Sequence, residues 1–211
     1  MEPRLNYHHG DLRQALLEAG LELASEGGPD AVVLREATRR VGVSPNAAYR
    51  HFADRDALLH AVSDSALALL GARIDDFLAA IPAAEPETVA RAQLRAVGIG
   101  YLAFAQDQPG LFRAAFFVHD NVRNAGDQAK AGPSGRTPYQ LLGDAIDGLV
   151  ACGAMPAERR PSAEFLAWSS VHGLALLVID GPLRALSRAQ VDAVTERVID
   201  MVEAGFTAPD A

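Results

Sequence analysis

The sequence predicts an all-α protein, with a three-helix helix-turn-helix domain at its N-terminus and a larger helical domain after it. Apolar residues recur at helical spacing through nearly every structured segment, and no segment alternates apolar and polar residues as a half-buried strand does. The short predicted helices lie together near the N-terminus and the long ones follow. We therefore predict one domain over residues 1–60 and a second over residues 61–211.

The first three helices are short and separated by turn residues. The first carries an apolar stripe of Leu12, Leu16, Ala19 and Leu23. The run Gly27-Gly28-Pro29-Asp30 ends it, and a second helix follows from about Leu34 to Val41. Gly42 supplies a turn, and the third helix opens at Ser44 and Pro45. Serine is a good N-cap, and proline at the first helical position needs no amide donor there.

The remaining helices are longer. Asp54 is the predicted cap of the fourth helix, and residues 82–86 break it. Its predicted inward residues are Leu58, Leu59, Val62, Ala66, Leu69, Leu70, Phe77 and Leu78. Five more helices are predicted, over Glu87–Asp107, Pro109–Phe117, Pro138–Cys152, Ala163–Ile179 and Arg188–Phe206. Residues 120–136 are polar, glycine-rich and aperiodic, which predicts a mobile loop.

Composition narrows the class of protein. The 211 residues are 49% hydrophobic and 22% charged, values typical of a soluble globular protein. The longest apolar run, Gly173–Ile179, is too short to span a bilayer, and no secretion signal opens the chain. The one cysteine, Cys152, cannot form an internal disulfide. We expect a cytoplasmic protein with no membrane partner.

Charge is distributed unevenly. The net charge is −8, but residues 33–55 carry five arginines against Glu36 and Asp54. Residues 61–211 carry 12 cations and 18 anions. A basic patch on an acidic body can bind phosphate locally, while the body limits non-specific adhesion.

The second and third helices meet the physical demands of a DNA-binding helix-turn-helix. Gly42 tolerates the positive φ of the turn. Small or apolar side chains stand where the two helices must cross closely: Ala37, Val41, Val43, Ala48 and Phe52. Donors for bases and phosphates stand on the exposed face: Ser44, Asn46, Tyr49, Arg50 and His51. From the pattern alone, an ordinary helical hairpin with a polar face remains the alternative.

Four segments together carry a family resemblance. Residues 7–13 (YHHGDLR), 34–45 (LREATRRVGVSP) and 49–59 (YRHFADRDALL) closely resemble, in order and spacing, the N-terminal domain of TetR/AcrR-family regulators. Residues 168–173 (WSSVHG) are similar to the WHG signature of one C-terminal domain class in that family. The resemblance implies a homodimeric, usually repressing regulator that a small molecule releases from a pseudo-palindromic duplex operator, with no cofactor.

The resemblance also implies a role for each matching position. Base-facing residues would be Arg35, Pro45, Asn46, Ala47 and Arg50. Residues that hold the DNA backbone would be Ser44, Tyr49, His51 and Arg55. Two positions depart from the family pattern. Val33 stands where a capping Ser or Thr is frequent, and Thr38 stands where alanine is usual. Both departures affect stability rather than DNA contact.

The resemblance places the effector site among the helices of the second domain. Its candidate residues are Tyr101, Phe104, Phe112, Phe116, Trp168 and His172. Such a site would be mainly apolar with few polar groups, which predicts a largely hydrophobic effector. Core packing is the alternative for each aromatic residue, and a structural hydrogen bond is the alternative for His172.

The last two helices are apolar over more than one face, at Ala167, Ser170, Leu174, Leu177, Ala193, Val194, Met201 and Val202. One face of each helix is enough for the core of a monomer. The surplus predicts a four-helix dimer interface, which the resemblance also implies.

The sequence gives little support to an enzyme, a metal site, a dinucleotide site or a reactive thiol. An enzyme needs a nucleophile, a base and an orienting group around a pocket, and no such set is recognisable. His8-His9-x-Asp11 lacks further ligands for a metal, and Gly98-Ile-Gly100 lacks the strand and third glycine of a dinucleotide site. Cys152 has no nearby cation to activate it. An adaptor that binds only proteins is the remaining alternative, and salt-dependent binding to genomic DNA would separate the two.

Overall fold

The structure is a computed structural model that describes residues 9–118 and 122–207, with side chains from Leu12 onward. These residues form nine α-helices and no strand, which confirms the predicted fold class. The helices are α1 His9–Gly27, α2 Leu34–Val41, α3 Pro45–Ala48, α4 Arg55–Ala79, α5 Pro86–Asp107, α6 Pro109–Phe117, α7 Pro138–Ala151, α8 Ala163–Ile179 and α9 Arg188–Thr207. The predicted helices α5 to α9 begin and end within one residue of these bounds.

The chain divides into two compact units. The first comprises residues 1–66 and 108–120, and the second comprises residues 67–107 and 121–211. Helix α6 thus belongs with α1 to α3 in the first unit. A Cβ added at Gly110 of α6 would lie 2.2 Å from the carbonyl oxygen of Ala24, so the two backbones pack without an intervening side chain. The division at residue 60 remains a prediction about independently folding domains.

Helix α4 is a core helix. Leu58, Val62, Ala66, Leu70 and Ile74 recur every four residues and are fully buried. Its length and hydropathy alone would fit a membrane span, the one such case among the described helices. At its start, the Ala57 amide donates to Asp54 Oδ1 at 2.8 Å, which confirms the predicted cap.

The prediction that Leu69 faces inward is wrong, because Leu69 is exposed. It precedes Leu70 of the buried stripe by one position, which turns its side chain about 100° around the helix axis.

The described part of the predicted mobile loop, residues 122–136, is folded. It contains two short 3₁₀ turns, Val122–Asn124 and Gln128–Lys130. Lys130 is buried, and its Nζ donates to the Asn124 carbonyl oxygen at 3.0 Å. A Cβ added at Gly132 would lie 2.8 Å from the Ala72 amide nitrogen, so the segment packs backbone against α4. Polar composition suggested mobility, but this close approach holds the segment in place.

Helix α5 is the central helix of the second unit and is buried along most of its last four turns. A Cβ added at Gly98 would lie 3.1 Å from Ile199 of α9, and one at Gly100 would lie 3.0 Å from the Ile74 Cα of α4. The two glycines that resembled a fragment of a dinucleotide motif are therefore explained by helix packing.

Candidate functional site

The turn between α2 and α3 has the backbone geometry of a helix-turn-helix. Gly42 ends α2 in the left-handed conformation, with φ +75° and ψ 29°. The Gly42 amide donates to the Arg39 carbonyl oxygen at 3.3 Å, and the Val43 amide donates to that of Thr38 at 3.0 Å. The chain then enters α3 at Pro45, so three residues separate the end of α2 from the start of α3.

Small buried side chains allow the short helices to pack closely. Ala37, Ala48 and Phe52 are buried, as predicted. Thr38 is also buried, and its hydroxyl donates to the Arg35 carbonyl oxygen at 2.7 Å, so the extra polar group has a partner. Val33 offers no side-chain cap, yet its carbonyl oxygen accepts from the amides of Glu36 and Ala37 at 3.0 Å each. With both departures from the family pattern, α2 still forms over Leu34–Val41.

The predicted DNA-contacting residues of α2 and α3 lie mainly on the surface. The exposed ones are Arg35, Ser44, Pro45, Asn46, Tyr49 and Arg50, while Ala47 and His51 are half-buried. Ser44 occupies the N-cap position, but its side chain makes no capping hydrogen bond. The prediction that the Ser44 side chain caps α3 is therefore wrong. The Ser44 side chain is exposed and takes no part in capping α3.

Arg55 differs from the other predicted contacts because its guanidinium is bound within the fold. Its Nε donates to the Val32 carbonyl oxygen at 2.9 Å, and its Nη2 donates to that of Pro29 at 2.8 Å. These bonds hold the connection between α1 and α2. Two of the five donors of the side chain are thereby used inside the fold.

Ion pairs reduce the basic patch that the sequence predicted. Arg39 binds Glu36, and Arg40 binds Glu26, with Glu22 at 3.4 Å. Within the described part of the chain, Arg35 and Arg50 have no ionic partner. The sequence shows how many charges this segment carries, but it does not show which of them are already neutralised.

A second polar cluster lies within the second unit, on α5 and α8. The Tyr101 hydroxyl oxygen lies 2.7 Å from His172 Nδ1, and Trp168 Nε1 donates to that hydroxyl at 3.2 Å. Burial raises the pKa of the Tyr101 hydroxyl and lowers the pKa of the His172 imidazole. At neutral pH the cluster is therefore an uncharged set of hydrogen-bonding groups.

The structure brings together half of the predicted effector residues. Tyr101, Trp168 and His172 form the cluster, and Phe104 is buried elsewhere along α5. Phe112 and Phe116 lie on α6 in the first unit, where their ring centroids are 5.0 Å apart. Sequence order had grouped α6 with the helices that follow it, and nothing in its apolar pattern indicates that it packs on α1.

Helices α8 and α9 carry large exposed apolar side chains. Leu166 and Met201 are 62% and 61% exposed, and Phe165, Leu176 and Leu177 are exposed by more than 40%. Of the predicted interface residues, Leu177 and Met201 are on the surface, while Ala167 and Leu174 are buried in the core. Phe165 and Leu166 were not among the predicted interface residues, since an apolar helix sequence does not show which of its faces the core covers.

The described residues give no further support to a metal site or to a reactive cysteine. In residues 12–118 and 122–207, no group of three or more His, Cys, Asp or Glu side chains is arranged to hold a metal ion. The His8-His9-x-Asp11 motif falls outside the residues whose side chains are described. Cys152 is half-buried, and its Sγ lies 3.4 Å from the Leu149 carbonyl oxygen.

Comparison with known proteins identifies related families and folds. A family model described as bacterial regulatory proteins, tetR family, matches residues 16–62. One described as tetracyclin repressor-like, C-terminal domain, matches residues 94–202. No curated protein matches the sequence.

Several solved structures share the fold. A Rhodococcus sp. RHA1 protein of unknown function is 27% identical, with a TM-score of 0.74 over 97% of this chain and 100% of that chain. A TetR-family transcriptional regulator from Pectobacterium atrosepticum is 16% identical, with a TM-score of 0.67 over 99% and 100%. A TetR variant from Acinetobacter baumannii AYE in complex with minocycline is 21% identical, with a TM-score of 0.57 over 91% and 94%.

Proposed function

Since the chain belongs to the TetR family of bacterial regulatory proteins, we propose that it is a cytoplasmic homodimeric repressor that a small, largely hydrophobic molecule releases from a pseudo-palindromic operator. Members of this family are DNA-binding transcriptional regulators rather than enzymes. The observation that carries the proposal is the helix-turn-helix itself, in which α3 and the residues flanking it present exposed polar side chains beside the Gly42 turn.

The exposed residues supply both kinds of DNA contact. Arg35 and Arg50 are exposed and have no ionic partner among the described residues, so their guanidinium groups fit guanine edges or phosphates, and Asn46 fits an adenine edge. Ser44 and Tyr49 are exposed hydroxyl donors suited to the phosphate backbone. Arg55 is proposed in a lesser role, since its guanidinium already holds Val32 and Pro29.

The exposed apolar side chains of α8 and α9 support the proposal of a homodimer. Five large apolar side chains, four on α8 and one on α9, would be left in water by a monomer. A second copy would cover them with the same face, which is the symmetric arrangement that most homodimers adopt. Two α3 helices then read two half-sites about 34–36 Å apart, which is why we propose a pseudo-palindromic operator.

The cluster of Tyr101, Trp168 and His172 supports the effector site. Three uncharged hydrogen-bonding groups on two helices rich in apolar residues suit a mainly apolar ligand with one or two polar atoms. The ligand must bind the DNA-incompetent state more tightly than the DNA-bound state, and a coupling of about 1–3 kcal/mol is typical.

Selection of genomic fragments tests this function. The purified protein is mixed with sheared DNA from its source genome, and the retained fragments are sequenced at two salt concentrations. We expect enrichment of a few sites that share an inverted repeat, with binding that weakens as salt rises. Retention of no DNA, or of all fragments equally, would contradict the proposal. An operator found this way then serves to screen apolar compounds for release.

A further inference from the structure

Glu36 and Arg39 form a two-bonded ion pair on the surface of α2. Arg39 Nη2 lies 2.6 Å from Glu36 Oε1, and Arg39 Nε lies 2.9 Å from Glu36 Oε2. Two parallel bonds from one planar guanidinium fix its orientation as well as its position. The Arg39 side chain is 73% exposed, so Glu36, rather than burial, determines where this cation points.

Arg40 is held in the same way, but across two helices. Its Nη1 and Nη2 lie 2.9 and 2.5 Å from the two carboxylate oxygens of Glu26 on α1. Glu22 adds a contact at 3.4 Å, and Glu36 lies 3.7 Å from Arg40 Nε. Hydrogen bonds from the arginines lower the pKa of Glu26 and of Glu36, so both carboxylates are charged at neutral pH.

This pairing leaves few cations for phosphate. Residues 33–55 contain five arginines. Carboxylates hold Arg39 and Arg40, and backbone carbonyls hold Arg55. Non-specific DNA binding depends on the number of phosphates that a protein neutralises, and an arginine bound to a carboxylate must break that bond before it can contribute.

We propose that Glu36 and Glu26 restrain non-specific DNA binding by holding Arg39 and Arg40 away from phosphate. The inference rests on the proposed DNA-binding function and adds a determinant of specificity to it. Both glutamates are positioning residues, since neither need touch DNA. With these arginines withheld, the protein binds duplex of arbitrary sequence weakly, and a larger share of operator affinity must come from base contacts by α3.

The test measures binding to DNA of arbitrary sequence. The full chain is titrated with a labelled 30-base-pair duplex of random sequence, by fluorescence anisotropy between about 50 and 200 mM salt. Glu36→Gln keeps the size of the side chain but removes the charge that orients Arg39. We expect tighter binding and a salt slope steeper by about 0.9 for each freed arginine. The affinity ratio between the two salt limits then grows about 3.5-fold per freed arginine.

Glu18→Gln is the matched control. It removes the same charge from the same unit, but the carboxylate of Glu18 accepts its hydrogen bond from the neutral Gln14, at 3.0 Å. We expect a smaller gain in affinity and an unchanged slope. If Glu18→Gln and Glu36→Gln have equal effects, net charge alone is responsible and the proposal is overturned.

A charge-neutral double variant separates release of Arg39 from other effects. Glu36→Gln with Arg39→Gln is expected to bind random duplex as the wild type does. Weaker binding than the wild type would mean that Arg39 already contacts phosphate, which also overturns the proposal. Thermal melts establish that each variant is folded. If Glu36→Gln proves unfolded, Glu26→Gln provides a parallel test by removing the two-bonded partner of Arg40, which keeps only Glu22 at 3.4 Å and Glu36 at 3.7 Å.

Different results would refute the DNA-binding function and the restraint by Glu36 and Glu26. Wild-type protein that binds neither random nor genomic duplex at low salt would refute the DNA-binding function itself. Wild-type protein that binds DNA, with Glu36→Gln and Glu26→Gln no different from Glu18→Gln, would refute only the restraint.

Discussion

The two compact units place polar and apolar side chains in opposite ways. In the first, Tyr49 is 56% exposed beside other hydrogen-bonding side chains of α3. In the second, Tyr101 is buried and its hydroxyl is hydrogen-bonded to His172 and Trp168. The side chains of Leu166 and Met201 are exposed to solvent. Exposed polar groups suit a polar partner such as DNA, and exposed apolar groups suit another protein surface. Function follows from where a residue type lies, more than from how often it occurs.

The largest effect should come from charging the apolar face of the second unit. Leu177→Glu or Met201→Glu would place an unpaired carboxylate in the proposed dimer interface, at a cost of about 3–5 kcal/mol. We expect monomers or aggregates in sedimentation, and loss of operator binding with the dimer. Leu69→Glu is the control, because Leu69 is as exposed as Leu177 but lies on α4. A folded dimer after both changes would refute the interface.

Removal of the buried hydroxyl should have the next largest effect. Tyr101→Phe leaves Trp168 Nε1 and His172 Nδ1 without the partner they share, which costs about 1–3 kcal/mol. The free energy of unfolding, from urea titration, measures the loss. Tyr139→Phe is the control, because Tyr139 lies on α7 outside the cluster. Equal losses in both variants would show that the cluster contributes no special stability.

Substitutions in the first unit should change DNA binding without changing stability. Arg35→Ala should relax the preference at one base pair per half-site by about 1–3 kcal/mol if it pairs with guanine. Tyr49→Phe should instead weaken binding to every sequence by about 0.5–1.5 kcal/mol, because a phosphate contact carries no base information. Binding to the selected operator and to a scrambled duplex measures both. Equal losses on the two duplexes for Arg35→Ala would remove it from the base-reading residues.

The smallest expected effect is a pH dependence of stability from His172. Burial lowers its pKa in the folded protein below the ordinary 6.5, so the unfolded chain takes up a proton first as pH falls. The contribution of neutral His172 to the free energy of unfolding is fully present above pH 6.5 and decreases as pH falls toward the folded-state pKa. The difference in unfolding free energy between the wild type and His172→Gln should therefore shrink from pH 8 to pH 5. A constant difference would contradict this assignment.

The candidate sites were predicted unevenly from sequence. The exposed polar residues in and beside α3 were identified because helix period and the Gly42 turn are local signals, whereas Arg35 of α2 was identified from the family resemblance. Arg55 was predicted to contact DNA, but its guanidinium binds the carbonyl oxygens of residues more than twenty positions earlier. Phe112 and Phe116 were assigned to the second domain, whereas α6 lies in the first unit, and their effector role stays a prediction. Each of these differences depends on a contact between residues distant in sequence.

The sequence by itself determined the all-α class, the bounds of α2 and of α5 to α9, and the exposed polar residues in and beside α3, because these depend on spacing within a few turns of chain. Only the tertiary structure decided that α6 packs on α1 through Gly110, that residues 122–136 are held against α4, and that Glu26 and Glu36 hold two arginines. Glycine packing and charge pairing depend on the three-dimensional neighbours of a residue. Sequence spacing fixes those neighbours within one helix but not between helices.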